Sequence, residues 1–105
     1  MGSMLILDRV HFDHMTGADR ALQIEVVGLF RMQVERWSAA MASAGGWREA
    51  VHTLKGSARG IGLSALAAAC EAAETAKDSE AGLADVRTAL NEALGALEQF
   101  AAEAP

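Results

Sequence analysis

Apolar residues recur at spacings of three and four along most of this chain, with charged or small polar residues between them. Such spacing places side chains on one face of a helix, because 3.6 residues complete each turn. Four long segments follow the pattern, and the links between them are short, which favours antiparallel neighbours. The sequence therefore predicts an all-α fold: an antiparallel up-down-up-down four-helix bundle with a short extra N-terminal helix.

Capping residues and glycines mark the ends of these helices. Asp8 is a cap for the first helix, and either Thr16 or Asp19 for the second. Ser79 is a candidate cap for the last helix, and Gly62 ends the third. The predicted helices span residues 8–14, 19–43, 46–62, 64–77 and 80–102.

Each long helix is apolar on one side only, so none can bury its apolar stripe alone, and a bundle buries all four. In the short first helix, Val10 is expected to fold back on the bundle together with either Phe12 or Met15. The predicted stripes are Leu22, Val26, Phe30, Val34, Trp37 and Met41; Trp47, Val51, Leu54, Ala58 and Ile61; Leu63, Leu66, Cys70 and Ala73; and Leu83, Val86, Leu90, Leu94, Leu97 and Ala101.

The length of 105 residues predicts one domain, residues 1–105, of which Met1, Gly2 and Ser3 are set aside as a candidate cloning remnant. A net charge of -5 argues against non-specific nucleic-acid binding. No apolar run approaches the ~20 residues that cross a bilayer. A single cysteine, Cys70, fits a reducing cytoplasm. We expect a cytoplasmic monomer that binds neither nucleic acid nor membrane.

The candidate chemistry lies at His52, about a quarter-turn from the buried stripe of the third helix. Lys55 follows three positions later, Gly56 four and Arg59 seven, so all three share the histidine's face. Imidazole is a nucleophile that is largely neutral near pH 7, and the two cations favour that neutral form. Lys55 can offset the charge of a phosphoryl group, with Arg59 at longer range.

Gly56 and Ser57 complete this stretch. Glycine inside a helix costs about 1 kcal/mol relative to alanine. A side chain at position 56 would crowd a group bound to His52, although Gly28 and Gly95 also lie inside predicted helices. Ser57 can bond back to the main-chain carbonyl one turn earlier, which is a structural role.

The run His52-Thr53-Leu54-Lys55-Gly56-Ser57 resembles the H-x-L-K-G-S motif of the histidine phosphotransfer (HPt) domain, and Gly62, Leu66, Cys70 and Glu74 also follow that family's pattern. The resemblance covers roughly residues 5–100. It implies a phosphoryl carrier with His52 as acceptor. It also implies that the partners are receiver domains of a hybrid histidine kinase or response regulator. Such a receiver supplies the aspartate and the Mg²⁺, so the carrier has no cofactor of its own.

Two other functions are compatible with a helical bundle. One is an interaction module that is never phosphorylated, and the other is the dimerisation and phosphotransfer part of a histidine kinase. ATP-dependent kinase activity is not expected, because the Gly-rich nucleotide patterns are missing. His11, Asp13 and His14 form only a weak metal motif without further ligands. Ile24 and Met32 lie off the stripe of the second helix, as scattered surface residues or as a docking patch.

Overall fold

The computed structural model describes residues 4–103, and every regular element in that range is helical, which confirms the all-α class. Residues 1–3, the candidate cloning remnant, lie outside the described range. No helix in the described part of the chain has the length and apolar character needed to cross a membrane. The helices are α1 (Arg9–Thr16), α2 (Arg20–Met41), α3 (Trp47–Ile61), α4 (Ser64–Thr75) and α5 (Ser79–Ala102).

Aspartates begin the first two helices. Asp8 Oδ1 accepts a hydrogen bond from the main-chain N–H of His11 at 3.1 Å, as the sequence predicts. Asp19 caps α2 by accepting from the N–H of Leu22 at 3.2 Å. Thr16, the other candidate, donates its hydroxyl to a carbonyl inside α1 instead. Each cap satisfies a donor that the first turn of the helix leaves unpaired.

The link between α4 and α5 differs from the prediction. Asp78 caps α5, not Ser79, because its Oδ1 accepts from the N–H groups of Glu80 and Ala81 at 3.1 and 3.2 Å. Ser79 is the first helical residue, and α4 ends at Thr75 rather than near residue 77. The Asp78 carboxylate is a better cap than the Ser79 hydroxyl for two reasons. It accepts from two N–H groups that have no partner within the helix, and its negative charge lies at the positive end of the helix dipole.

Gly62 ends α3 and holds the N-terminal segment against the bundle. Its φ of +98° lies in the left-handed region, and a Cβ there would come within 2.9 Å of the carbonyl oxygen of Asp8. The N–H of Asp8 in turn donates to the carbonyl of Gly62 at 2.8 Å. Glycine is therefore required at this position for both its backbone angles and its close approach.

The core combines stripes from every helix. The predicted stripe of α4 is fully buried, and most positions of the α3 and α5 stripes are too. Trp37 is buried against Phe30 with ring centroids 5.4 Å apart, whereas Trp47 is only partly buried at the edge of the core. The largest fully buried side chains are Phe12, Phe30, Met41, Leu54, Leu63, Leu66, Leu97, Val51, Val86 and Cys70.

The stripe predicted for α2 is wrong at its first turn. Leu22 is exposed, and Gln23 is buried in its place. Gln23 Nε2 donates to Asp13 Oδ1 at 2.7 Å and to Thr16 Oγ1 at 3.0 Å, so α2 meets α1 through a satisfied polar contact. A buried amide is tolerated when its donors are paired, which apolar periodicity cannot anticipate.

Phe12 is the α1 residue that enters the core. It packs edge-on against Phe100 of α5 with ring centroids 5.3 Å apart. Val10, which was expected to fold back on the bundle, is largely exposed, and so is Met15. A helix of two turns has only one side against the bundle, and the aromatic ring buries more apolar area than valine.

Two arginines fasten the C-terminal end of α5. Arg20 Nη2 donates to the main-chain carbonyls of Phe100, Ala101 and Glu103 at 3.0, 3.2 and 2.7 Å. Arg9 forms a two-pronged ion pair with the Glu103 carboxylate at 2.6 and 2.7 Å. The last carbonyls of a helix lack hydrogen-bond donors within the helix, so Arg20 supplies donors for those of α5.

Cys70 lies in the middle of α4 and is fully buried. Burial raises the pKa of its thiol to about 11, with a further contribution from the negative charge of Glu74. The neutral thiol packs as a small apolar group, as the sequence predicts.

Candidate functional site

His52 lies on the outer side of α3, and its side chain is 71% exposed. The helix beneath it is anchored by Val51 and Leu54, which are completely buried. The ring is therefore presented to solvent from a segment that packing holds firmly in place. Exposure of this kind gives a reacting group access to a partner while its backbone stays fixed.

Glu74 of α4 is a neighbour of His52 and Lys55 that helical spacing in the sequence does not predict. Its Oε1 lies 2.9 Å from Lys55 Nζ and 3.4 Å from His52 Nδ1. The family pattern includes Glu74, yet only the packing of α4 against α3 shows which side chains it meets. Among the described residues, this carboxylate brings His52 and Lys55 into one cluster.

The Lys55–Glu74 pair is largely shielded from water. The side chain of Lys55 is only 12% exposed and that of Glu74 only 25%. Arg48 of α3 donates to the main-chain carbonyl of Glu74 at 2.9 Å, which fixes the end of α4 beside the site. Lys55, which is predicted to offset the charge of a phosphoryl group, has its ammonium paired with Glu74 in this structure.

The ion pair changes the acidity of Glu74. The contact with Lys55 lowers the pKa of the Glu74 carboxyl from its usual 4.5, and His52 lowers it further, in opposition to partial burial. An opposite charge at this distance favours the ionised form. Glu74 is therefore negatively charged at neutral pH.

Acid should weaken this contact and lower the stability of the fold. A carboxyl whose pKa is lower in the folded than in the unfolded chain adds stability above its unfolded pKa. That contribution is lost as the pH falls through the folded value. We expect the free energy of unfolding to decline as the pH falls below 4.5, the usual pKa of a glutamate carboxyl. In the Glu74→Gln variant, the free energy of unfolding should fall less steeply with decreasing pH than in the unmodified protein. It should still fall to some extent, because Glu103 also has a lowered pKa beside Arg9. Urea unfolding at a series of pH values measures both slopes, and equal slopes would contradict the role of Glu74.

The other predicted site residues are Gly56, Arg59 and Ser57, and each has a different environment on α3. A Cβ added to Gly56 would meet no atom within 4 Å, so the glycine leaves open space on the exposed side of α3. Arg59 pairs with Glu71 of α4 at 3.4 Å, and both side chains are well exposed. Ser57 is half-buried on the side of α3 that faces α2, away from the Lys55–Glu74 pair.

An apolar groove of about 380 Å³ runs between α1, α2 and α3. Leu29 and Phe30 of α2 form one side of it, and Ser57 and Gly60 of α3 form the other. Ile24 and Met32, the predicted patch residues, are exposed on α2.

The histidines of α1 are arranged unlike a metal site. Asp13 accepts a hydrogen bond from Gln23, and His11 packs beside Gly62. Within residues 4–103, no group of three or more His, Cys, Asp or Glu side chains is placed to hold a metal ion.

Comparison with known proteins gives two matches to this chain. The family model for the Hpt domain matches residues 13–103, which include α2 to α5 and the site around His52. The chain belongs to the Hpt domain family. The crystal structure of the histidine phosphotransferase ShpA from Caulobacter crescentus is similar, with a TM-score of 0.82 and 37% identity over 92% of this chain and 91% of that one. No curated protein sequence matches this chain significantly.

Membership in the Hpt family gives the chain a histidine phosphotransfer role in a phosphorelay. HPt proteins carry phosphoryl groups and are not kinases. They interact with the receiver domains of two-component systems. The helical bundle and the resemblance found in the sequence are confirmed by both matches.

Proposed function

We propose that His52 is the residue that accepts and donates the phosphoryl group, with Lys55 and Gly56 as the other principal site residues. Support comes chiefly from the exposure of His52, at 71%, beside a carboxylate that binds Lys55. We place Arg59 and Ser57 near the phosphoryl group. Arg59 would have to leave its exposed pair with Glu71 to contact that group, and Ser57 lies on the side of α3 that faces α2.

The contact with Glu74 favours one ring nitrogen as the nucleophile. His52 Nδ1 lies 3.4 Å from Glu74 Oε1, a distance at which a proton on Nδ1 is attracted to the carboxylate. That tautomer leaves the lone pair on Nε2, which is free to attack phosphorus. Contacts of this kind in a resting protein can shorten into hydrogen bonds during the reaction.

We propose that the partners are receiver domains of a hybrid histidine kinase, a response regulator or both. The receiver brings the aspartate and the Mg²⁺, and this chain supplies the imidazole and needs no cofactor of its own. The protein then has no ATP-dependent kinase activity and forms a phosphohistidine intermediate. The groove between α1, α2 and α3 offers apolar surface for docking. Ile24 and Met32 are also exposed on α2, but they do not line this groove. We further propose that residues 1–105 are one HPt domain, a cytoplasmic monomer.

We also infer that α2 to α5 form an up-down-up-down antiparallel bundle beside the short α1. Arg48 at the start of α3 contacts Glu74 at the end of α4, whereas Arg59 near the end of α3 contacts Glu71. Only Gly62 and Leu63 separate these two helices, and a link that short reverses the chain. Arg20 at the start of α2 reaches the last carbonyls of α5, which fits the same alternation.

A transfer assay against a panel of phosphorylated receiver domains tests the proposal. The protein should acquire one phosphoryl group, and the label should be acid-labile and base-stable, as a phosphoramidate bond requires. Intact mass measured before treatment, after acid and after base gives the number of phosphoryl groups, their acid lability and their stability in base. Binding to receivers without any label would favour an interaction module instead. A dimeric mass in solution would contradict the proposed monomer.

A further inference from the structure

Glu74 lies between two groups that a phosphoryl group on His52 would also contact. Its Oε1 is 2.9 Å from Lys55 Nζ and 3.4 Å from His52 Nδ1, and this oxygen is sealed from solvent. Lys55 has little freedom to turn elsewhere, because most of its side chain is buried. In the unphosphorylated protein, the Lys55 ammonium is therefore already paired with the Glu74 carboxylate.

Phosphorylation places a second anion beside the same ammonium. In the acceptance step, the Nε2 lone pair of His52 forms a bond to phosphorus. The P–O bond of the aspartyl phosphate breaks, and its electron pair stays on the aspartate carboxylate. Nδ1 keeps its proton, so the ring gains positive charge and the bound group keeps its negative charge. Donation reverses each of these changes.

We infer that Glu74 competes with the phosphoryl group for Lys55, and so keeps phosphorylated His52 less stable than it would be beside an unpaired lysine. This inference rests on the proposed role of His52. Glu74 also attracts the positive charge that the ring gains, but that contact, at 3.4 Å, is longer than the 2.9 Å contact with Lys55, so the competition for the ammonium dominates. The competition makes the phosphoryl group easier to donate. A carrier that must accept from one aspartate and donate to another benefits from such a balance.

The test is the equilibrium between this protein and one receiver domain that exchanges phosphoryl groups with it. Glu74→Gln removes the charge but keeps an oxygen that can accept from Nδ1. The equilibrium constant should shift about fivefold towards the phosphorylated carrier, the change that corresponds to an ion pair of about 1 kcal/mol. The ratio of the two constants does not depend on which receiver is used, because the receiver is common to both reactions. A merely structural role of Glu74 would leave this ratio unchanged.

Glu98→Gln is the matched control. Glu98 pairs across helices with Arg31 at 3.4 Å, so its substitution removes one negative charge and one exposed ion pair from another part of the bundle. We expect no shift in the equilibrium for this variant. A shift as large as that of Glu74→Gln would assign the effect to net charge and overturn the inference.

A double variant separates competition for Lys55 from simple repulsion. In a Lys55→Met background, Glu74→Gln should no longer move the equilibrium substantially, because no ammonium remains to be released. A full fivefold shift in that background would overturn the inference, as would an unchanged equilibrium in the single variant. In both cases phosphorylation of His52 itself would stand. If the unmodified protein took no label from any receiver, the proposed function would fail instead.

Discussion

A His52→Gln variant should accept no phosphoryl group from any receiver domain, while its helices and stability stay essentially unchanged. The glutamine amide nitrogen has no available lone pair for attack on phosphorus, so the loss should be complete rather than partial. The side chain at position 52 is mostly exposed and lies outside the buried stripe of α3. A surface substitution of this kind changes the free energy of unfolding by about 0.5 kcal/mol or less.

Intact mass after incubation with phosphorylated receiver, together with urea unfolding, measures both parts of this result. His14→Gln is the matched control, because His14 is also exposed but lies on α1, a different helix from that of His52. That variant should be labelled as fully as the unmodified protein. Label that persists in His52→Gln would place the acceptor on another residue.

A Gly56→Leu variant should be more stable than the unmodified protein but about a hundredfold slower in phosphoryl transfer. Leucine is a better helix former than glycine and should add about 0.5–1 kcal/mol. No atom of the protein lies within 4 Å of the new Cβ, so the fold does not resist the change. The side chain would instead project one turn from His52 on the same face, where it would displace the receiver from its reactive position.

Gly95→Leu provides the control for this second result. Gly95 is also inside a helix, and a Cβ there also meets nothing within 4 Å, but it lies on α5. It should gain similar stability with unchanged transfer. Urea unfolding and single-turnover transfer rates compare the two variants. If Gly56→Leu transferred at the normal rate, the glycine would have no part in the reaction.

Periodicity was sufficient to predict the helices whose apolar residues all point one way. The α4 stripe of Leu66, Cys70 and Ala73 is buried as expected. Apolar periodicity gave the wrong buried residue at the start of α2, where Gln23 is buried and Leu22 is exposed. A side-chain amide whose hydrogen-bond donors are paired can be buried as well as an apolar side chain can. The N-terminal caps of α1, α2 and α5 were predicted to within one residue, whereas the C-terminal ends of α1, α2 and α4 each differ from the prediction by two residues.

The sequence was sufficient to predict the part of the candidate site on α3, but not the contribution of α4. His52, Lys55 and Gly56 lie on one helix, so their spacing alone places them on one face. Glu74 belongs to another helix, and its contacts depend on how α4 rotates and slides against α3. One signal was available: Glu74 follows buried Ala73 directly, and an acidic residue at the border of a buried stripe faces the neighbouring helix. The identity of that neighbour still required three-dimensional packing.

Cys70 gives this protein a natural reporter of its own motions. It is the single cysteine of the sequence, is sealed beneath the surface of α4, and has a pKa of about 11. The ionised sulfur is the form that attacks thiol reagents, so at neutral pH this residue can be modified only when the helix opens. The rate of modification would therefore measure how often α4 opens locally, without an introduced label. Comparing the rates with and without a phosphoryl group on α3 would show whether phosphorylation slows that opening.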